Sequence, residues 1–265
     1  MQLNKEERAA FRRKKVIKNR VISIAAPLVT FFLLLAIWET VVVVREIPSW
    51  QVVRPTLAFR AMVVHFWDFV PHIIRSYSTI LIGFSLAIIL GIGLAAVISN
   101  FKFLGVLLTP YINMMVTTPI ITLVPLLLVL FGFGQWVLIF AVMLQAFPIL
   151  NMNAVTGLNN VEILRIELMH SLRASRIQTL RYCTLPSALP QVFTGMKLSA
   201  IFATTATVSA EFTGGNVGLG AMIIAHTQFM RMDRAFASIF YVAIIGLLLY
   251  MAISLLEMKL VKWRI

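Results

Sequence analysis

Charged residues are scarce in this chain of 265 residues, because only 12% are Asp, Glu, Lys or Arg, about half the share of a soluble domain. The 59 residues from 103 to 161 carry none. A single helix of that length would measure about 88 Å against a hydrocarbon core of about 30 Å, so this stretch crosses a bilayer at least twice. With 60% hydrophobic residues, the chain is predicted to be an all-α, polytopic membrane protein. A soluble enzyme, a disordered tail and a disulfide scaffold are excluded.

Cysteine and acidic residues are also few. The single Cys183 excludes an intramolecular disulfide. Ten acidic residues against 23 basic ones give a formal net charge of +13, a balance found in nucleic-acid-binding proteins and also produced by the positive-inside rule. With the N-terminus inside, 17 Lys and Arg fall on the cytoplasmic side and six on the outer side. This asymmetry accounts for the charge without nucleic acid and predicts that both termini are cytoplasmic.

Apolar runs separated by polar breaks predict six transmembrane helices. The first follows a basic N-terminal segment, 1–20, and is too long for a signal peptide, so we interpret it as a retained span within a transmembrane domain 21–265. Prolines 110, 119 and 125 predict that the third span bends or breaks. The six spans are predicted at about 21–44, 76–100, 103–131, 135–152, 191–211 and 235–256.

One polar cytoplasmic loop, residues 153–190, is much longer than the other connections. Between Val161 and Tyr182 its apolar residues recur at helical spacing, and the pattern stops in the proline-containing stretch 185–190. This pattern predicts a pair of short amphipathic helices lying against the membrane surface. The alternative is a solvated basic linker.

The residues of this loop resemble a known motif. The stretch 167–176, followed by Leu185-Pro186, is similar to the EAA loop of binding-protein-dependent ABC importer permeases. The wider chain is most similar to the nitrate, sulfonate and taurine branch of that family. The further similarities are the Gly83 to Gly93 pattern, Phe131-Gly132-Phe133-Gly134, Phe147-Pro148-Ile149, and Ala210-Glu211-Phe212 leading into Gly218-Leu219-Gly220.

The resemblance implies a type I, MetI-like permease fold in a bacterial plasma membrane. It implies three protein partners: a cytoplasmic ABC ATPase dimer, a second permease chain (expected as a homodimer), and an extracytoplasmic solute-binding protein on the faces 45–72 and 212–234. ATP and Mg²⁺ are expected on the ATPase, since this chain lacks the phosphate-binding G-x-x-x-x-G-K-[ST] motif. The chain itself is expected to be a transport subunit without cofactor or enzymatic activity. A small anion such as a sulfonate, taurine or nitrate is the implied solute, and a vitamin precursor or other heterocycle is the alternative.

The resemblance assigns coupling to the ATPase to residues of the long loop. One of them departs from the family pattern, because Arg173 stands where the family usually has Gly. Glycine adopts positive φ without steric cost, whereas another residue pays roughly 1 kcal/mol or more. Either the turn is reshaped or Arg173 makes a compensating contact with the partner. The assigned residues are Glu162, Arg165, Glu167, Leu168, Ser171, Leu172, Arg173, Ala174, Ser175, Arg176, Leu185 and Pro186.

Candidate residues of the translocation pathway are polar or polarizable side chains in the third and fifth spans. They are Met114, Thr118, Thr204, Thr207 and Glu211. Close helix packing explains the Thr and Met residues equally well. The three His residues of the outer segments match no metal-ligand spacing, so no metal is expected.

A competing hypothesis is an autonomous secondary carrier or channel. Such a protein would need ionisable residues buried in the middle of its spans, and spans two to four have none. It would also leave the polar loop without a function. A membrane-embedded enzyme is disfavoured for a similar reason, because no nucleophile, carboxylate pair or metal cluster lies at membrane depth.

Overall fold

The computed structural model describes the backbone of residues 5–262 and, apart from 5–24, Lys102 and Arg176, their side chains. Every regular element within this range is helical. The α-helices are α1 Lys5–Val44, α2 Pro55–Val64, α3 Phe66–Asn100, α4 Lys102–Thr117, α5 Ile120–Phe131, α6 Gln135–Asn159, α7 Ile163–Ser171, α8 Arg176–Thr179, α9 Leu185–Gly214, α10 Leu219–Gln228 and α11 Met232–Leu260.

The predicted basic segment 1–20 lies outside the described side chains, and its first four residues lie outside the described backbone. Within the described range, a π-helical turn, Leu180–Thr184, joins α8 to α9.

Within the described residues, four single helices and one bent helix pair are candidate membrane spans, and one further helix is long enough to cross a bilayer. Four single helices are both long and strongly apolar, namely α1, α3, α6 and α11. The pair α4 and α5 forms a fifth unit that is bent by 102° at its break. The sixth is α9, whose 30 residues rise about 45 Å although Lys197 and Glu211 make it less apolar. The chain is therefore an all-α, multi-pass membrane protein.

The core of the bundle consists of α3, α6 and α9, which approach one another closely at glycines. A Cβ atom on Gly83 would lie 2.7 Å from Val142, and one on Gly195 would lie 2.6 Å from Asn153. Small residues allow such close contacts between membrane helices. The buried Asn151 Nδ2 also donates to the Gly91 carbonyl at 3.0 Å. These contacts leave little space between the helices, so we expect the three to move as one body.

The break in the third predicted span lies at Thr118 and Pro119, between α4 and α5. Pro119 has no N–H to continue the ladder of α4, and its φ of −65° precedes the new helix. Of the three prolines, only Pro119 marks the break, whereas Pro110 and Pro125 lie inside α4 and α5. The two helices are bent by 102° at this break.

The helix α1 stands apart from the core. Its apolar side chains from Leu28 onward are largely exposed, including Phe31 and Phe32. Its polar link to the rest of the chain is Glu39, whose two oxygens accept hydrogen bonds from the backbone and hydroxyl of Thr56 at 3.1 and 2.8 Å. An apolar face of this extent belongs in contact with lipid or another membrane chain.

One prediction about the loop is wrong. The proline-containing stretch 185–190 was expected to end the second loop helix, whereas helical backbone continues from Arg176 to Gly214. Pro190 lies inside α9, and Pro186 lies at its beginning, which continues directly from the preceding helical backbone. The backbone accommodates Pro186 through the π-turn that precedes α9. The second helix of the loop and the fifth span are consequently one continuous helical unit.

Candidate functional site

The short helix α7 is the most exposed element of the loop. None of its nine residues, all described, is buried. Ile166 and Met169 are half-buried against the chain, whereas Leu164 and Leu168 point away from it with exposures of 69% and 59%. Leu172, four residues after Leu168, is equally exposed and extends the same face. We call Leu164, Leu168 and Leu172 the leucine stripe.

The charged and polar residues of α7 are exposed as well. Glu162 precedes the helix and accepts from Arg165 Nε at 2.9 Å, in an ion pair more than half exposed. Such surface pairs contribute little stability. Glu167 is exposed beside the leucine stripe, and the Ser171 hydroxyl donates to the Glu167 carbonyl at 3.0 Å. The outward face of α7 therefore combines an apolar stripe with a charged rim.

The turn after α7 has a left-handed residue at Arg173, the position where the resemblance implies glycine. Arg173 has φ +51°, in the left-handed region, although it carries a side chain. Its N–H donates to the His170 carbonyl at 2.9 Å, and the Ala174 N–H donates to the Met169 carbonyl at 3.0 Å. These two bonds form a Schellman motif with Arg173 at the left-handed position. The turn is thus not reshaped. Arg173, whose side chain is exposed, adopts the left-handed conformation in spite of its steric cost.

The following helix begins with a reciprocal cap. The Ser175 N–H donates to Gln178 Oε1 at 2.7 Å, and the Gln178 N–H donates to Ser175 Oγ at 3.3 Å. Arg176 opens α8, but its side chain lies outside the described residues. Leu185 and Pro186 form the first turn of α9. The predicted coupling residues therefore follow one another along α7, the turn, α8 and the start of α9.

The break between α4 and α5 encloses a small cavity of about 130 Å³. Its lining includes two predicted pathway residues, Met114 and Thr118, and adds Met115 and Gln145. Gln145 was not predicted, since a single Gln within an apolar helix gives no periodic signal. The cavity offers a hydroxyl, an amide and two thioethers, and no formal charge.

Thr204 and Thr207 lie within the packed part of α9. Both are buried, and their hydroxyls donate to the Ala200 and Ala203 carbonyls of the same helix at 2.9 Å. Thr204 also contacts Gly246 of α11, since a Cβ there would lie 3.2 Å from its methyl group. This arrangement fits close helix packing, and the pathway role of these residues stays a prediction.

Glu211 is buried at the far end of α9, with 1% of its surface exposed. The Ser76 hydroxyl of α3 donates to its carboxylate, lying 2.7 and 2.9 Å from the two oxygens. The Gly220 N–H donates to Oε2 at 2.8 Å, and the Leu219 N–H donates to Ser76 Oγ at 2.8 Å. Protein donors thus occupy this carboxylate, and its predicted pathway role stays a prediction.

Other polar side chains of α3, near Ser76, form a second hydrogen-bond network. The Arg75 guanidinium donates to the Gln135 side chain, whose amide donates in turn to Ser78 Oγ at 2.9 Å. His72 Nδ1 lies 3.0 Å from the backbone nitrogen and oxygen of Gly218. Sequence reasoning did not connect these residues, because they are distant in the chain and follow no shared motif.

The outer histidines do not gather into a metal site. His65 Nδ1 lies 3.4 Å from Asp68, and Arg234 donates to His65 Nε2 at 3.1 Å. In the described part of the chain, no three His, Cys, Asp or Glu side chains are grouped so as to hold a metal.

His226 of α10 lies outside the spans, and burial lowers its pKa below the ordinary value of 6.5, with Arg234 and Arg231 acting in the same direction. The folded state therefore favours the neutral imidazole of His226. Below pH 6.5 the unfolded chain takes up a proton at His226 more readily than the folded chain does, so protonation lowers the free energy of unfolding.

A bundle of long apolar helices, with a bent helix pair and an exposed pair of short helices, defines a multi-pass membrane protein. The chain belongs to the family of binding-protein-dependent transport system inner membrane components, whose profile matches residues 83–262. It is the permease subunit of an ABC importer.

Curated relatives extend over nearly the whole chain. The taurine transport system permease protein TauC of Escherichia coli is 29% identical over 245 residues, covering 89% of this chain and 88% of the relative. The riboflavin transport system permease protein RibX of Chloroflexus aurantiacus is 30% identical over 242 residues, covering 89% of each. The putative aliphatic sulfonates transport permease protein SsuC of Bacillus subtilis is 29% identical over 234 residues, covering 87% of this chain and 84% of the relative.

Solved structures show the same fold. An inward-facing MetNI methionine ABC transporter chain matches with a TM-score of 0.65 at 16% identity, over 74% of this chain and 97% of that chain. An amino acid ABC transporter chain matches with a TM-score of 0.60 at 16% identity, over 77% and 97%. The predicted MetI-like permease fold is confirmed.

Proposed function

We propose that this chain forms half of the translocation pathway of an ATP-driven importer and that α7 docks onto a cytoplasmic ATPase. The observation that carries this proposal is the leucine stripe. Three leucines in register are exposed on a helix that buries none of its described side chains. Water is a poor environment for such a face, and apolar anchors with a charged rim are typical of protein interfaces.

ATP and Mg²⁺ act on the partner in this proposal. The chain carries no G-x-x-x-x-G-K-[ST] sequence to hold nucleotide phosphates. The chain instead transmits movement of the ATPase to the membrane, since α8, the π-turn and α9 form one helical unit from the docking region into the membrane. Movement of the docked α7 is thereby passed to the bundle core.

The distribution of Lys and Arg supports an orientation with α7 and both termini in the cytoplasm. The opposite face, comprising 45–72 and 212–234, is then available to a solute-binding protein. The exposed α1 and the half-open cavity at the α4–α5 break support pairing with a second permease chain, which we propose to be an identical copy. Lipid surrounds the remaining apolar faces.

We propose a small organic or inorganic anion as the solute. The cavity of about 130 Å³ suits a compact molecule and presents the Gln145 side-chain amide as a hydrogen-bond donor, whereas the Thr118 hydroxyl donates to the Met114 carbonyl at 2.9 Å. Relatives named for taurine, aliphatic sulfonates and nitrate support this class. A heterocyclic solute is the second candidate, because other relatives are named for riboflavin and formylaminopyrimidine.

The test is uptake by proteoliposomes that contain the chain and its ATPase, with the cognate binding protein supplied outside. Taurine, an alkanesulfonate, nitrate and riboflavin are compared with and without internal ATP. ATP-dependent uptake of one of the anions supports the proposal, and uptake of riboflavin alone favours the second candidate. Uptake by the chain without ATPase or ATP would contradict the importer and support an autonomous carrier.

Arg173 gives a prediction that separates backbone strain from a partner contact. Arg173→Gly removes the left-handed strain and is expected to stabilise the turn by about 1 kcal/mol. We nevertheless expect Arg173→Gly and Arg173→Ala to weaken binding of the ATPase to a similar degree, because both remove a guanidinium exposed beside α7.

Binding affinity for the ATPase and thermal unfolding of the isolated chain are the measurements for Arg173. Arg165→Ala is the matched control, because it removes another exposed arginine of the same loop. Tighter ATPase binding by Arg173→Gly would show that Arg173 makes no useful contact with the partner.

A further inference from the structure

The N-terminus of α10 is capped by side chains from two other helices. Its first N–H groups, at Leu219 and Gly220, have no partner within the helix, as at any helix start. The preceding residue is Gly218, which has no side chain to supply a cap. Ser76 Oγ of α3 accepts from the Leu219 N–H, and Glu211 Oε2 of α9 accepts from the Gly220 N–H, each at 2.8 Å.

The carboxylate is well matched to this position. A negative charge at a helix N-terminus interacts favourably with the helix dipole. Ser76 connects the two acceptors, since its hydroxyl donates to Glu211 while accepting from Leu219. One buried hydroxyl and one buried carboxylate thereby hold three helices together, and we call this arrangement the Glu211 latch.

The loop between α9 and α10 is shaped around the latch. Gly218 has φ +146°, and a Cβ on it would overlap the Glu211 carboxylate. A Cβ on Gly220 would lie 2.8 Å from Glu211 Cβ and 2.8 Å from the Val208 carbonyl. Side chains larger than hydrogen are therefore excluded where the carboxylate meets α10.

The latch and the predicted docking region lie at opposite ends of one helix. From Leu185 to Glu211, α9 rises about 39 Å, which exceeds the hydrocarbon thickness of about 30 Å. Close contacts hold α9 near both ends, since a Cβ on Gly195 would lie 2.6 Å from Asn153 of α6 and one on Gly214 would lie 2.6 Å from Leu128 of α5. Displacement at one end is thus transmitted to the other.

We propose that Glu211 is a positioning residue that makes α10 move with α9, so that the outer surface and the ATPase-binding loop sense each other's state. This proposal rests on the proposed function. Leu219 and Met222 keep α10 packed against the core by apolar burial. Loss of the carboxylate should therefore free the start of α10 without unfolding the bundle.

The experiment uses the detergent-purified complex of the full chain with its ATPase and follows hydrogen exchange with and without Mg²⁺ and AMP-PNP. In the wild type, the nucleotide analogue is expected to change exchange in residues 163–185 and in 215–228. In Glu211→Gln, the response in 163–185 is expected to persist, whereas that in 215–228 falls by roughly tenfold, within the usual range of coupling between sites.

Two further variants separate coupling from general damage. Ser76→Ala should reproduce the effect of Glu211→Gln, and the double variant should add little to either, because the groups act together. Glu39→Gln changes a partly buried carboxylate that also holds a helix start, at Thr56, and should keep both nucleotide responses.

A Glu211→Gln complex whose 215–228 response equals that of the wild type would overturn the latch. So would a parallel loss of ATPase binding and of both responses, because that result indicates a merely structural role. A wild type that responds in 163–185 but not in 215–228 refutes the latch and leaves the proposed function intact. A wild type without any response in 163–185 refutes both.

Discussion

A chain carrying Leu168→Asp is expected to fold and enter the membrane normally but to lose its ATPase partner and, with it, ATP-driven uptake. Leu168 lies in the middle of the leucine stripe and is 59% exposed. An apolar anchor at the centre of an interface typically contributes about 2 kcal/mol or more, which corresponds to at least roughly 30-fold in affinity. Placing a carboxylate in the same contact adds a desolvation penalty.

The design of this experiment depends on α7 being unburied within its own chain. Because no side chain of α7 is buried, Leu168→Asp should leave the thermal unfolding of the isolated permease within about 0.5 kcal/mol of the wild type. Leu168→Met keeps the volume and apolar character of the side chain and should retain the partner. ATPase recovery and uptake are measured for each variant. Normal recovery of the ATPase with Leu168→Asp would contradict the docking role of the leucine stripe.

Lys197→Ala is expected to lower the stability of the bundle. The Lys197 ammonium of α9 pairs with Glu257 of α11, and the two side chains are only 21% and 16% exposed. The ammonium also lies 5.7 Å from the centre of the Tyr250 ring. Removing one partner of a buried pair typically costs 3–5 kcal/mol, and partial exposure reduces the expected loss here to about 2 kcal/mol.

The double variant Lys197→Met/Glu257→Leu is the diagnostic control for this pair. It replaces both charges by apolar side chains of similar volume, which is often neutral or stabilising. Thermal unfolding in detergent should therefore place the double variant closer to the wild type than Lys197→Ala. Equal destabilisation by the single and double variants would show that the ion pair itself stabilises the bundle. The unpaired charge left by Lys197→Ala would then not explain the loss of stability.

Much of the membrane architecture follows from the sequence because charge and proline act locally. A run of 59 residues without charge has to fold back in the bilayer, and Pro119 has to interrupt the helix that contains it. Neither effect depends on distant residues. The angle of 102° between α4 and α5 does depend on the packing around the break and was not predictable.

The loop shows both the strength and the limit of a sequence motif. Arg173 stands at a position where the family pattern predicts a left-handed turn, and it has φ +51°. The predicted end of the second loop helix is wrong, because the prolines after Thr184 do not end the helix there. A π-turn precedes Pro186 and accommodates it, and Pro190 lies inside α9, so neither proline ends the helical backbone.

The Glu211 latch shows why the rest of the site was missed. Ser76 and Glu211 are 135 residues apart, and the N–H groups they bind belong to the backbone of α10. Backbone donors leave no mark in a sequence. The glycines at 218 and 220 are a trace of this arrangement, because they leave room for the carboxylate, but a glycine alone does not identify its neighbour.

The most direct test of the importer assignment is to identify the protein that covers α7 in the membrane. The chain has one cysteine, the buried Cys183, so Ser171→Cys in a Cys183→Ser background gives a single accessible thiol beside the leucine stripe for a photo-crosslinker. We expect a crosslinked polypeptide that contains an ATP-binding P-loop and hydrolyses ATP, and we expect the crosslink to be lost when Leu164→Asp is added. Crosslinking only to lipid, or to a protein without a nucleotide-binding site, would contradict the central claim that α7 is the ATPase-docking helix of an importer permease.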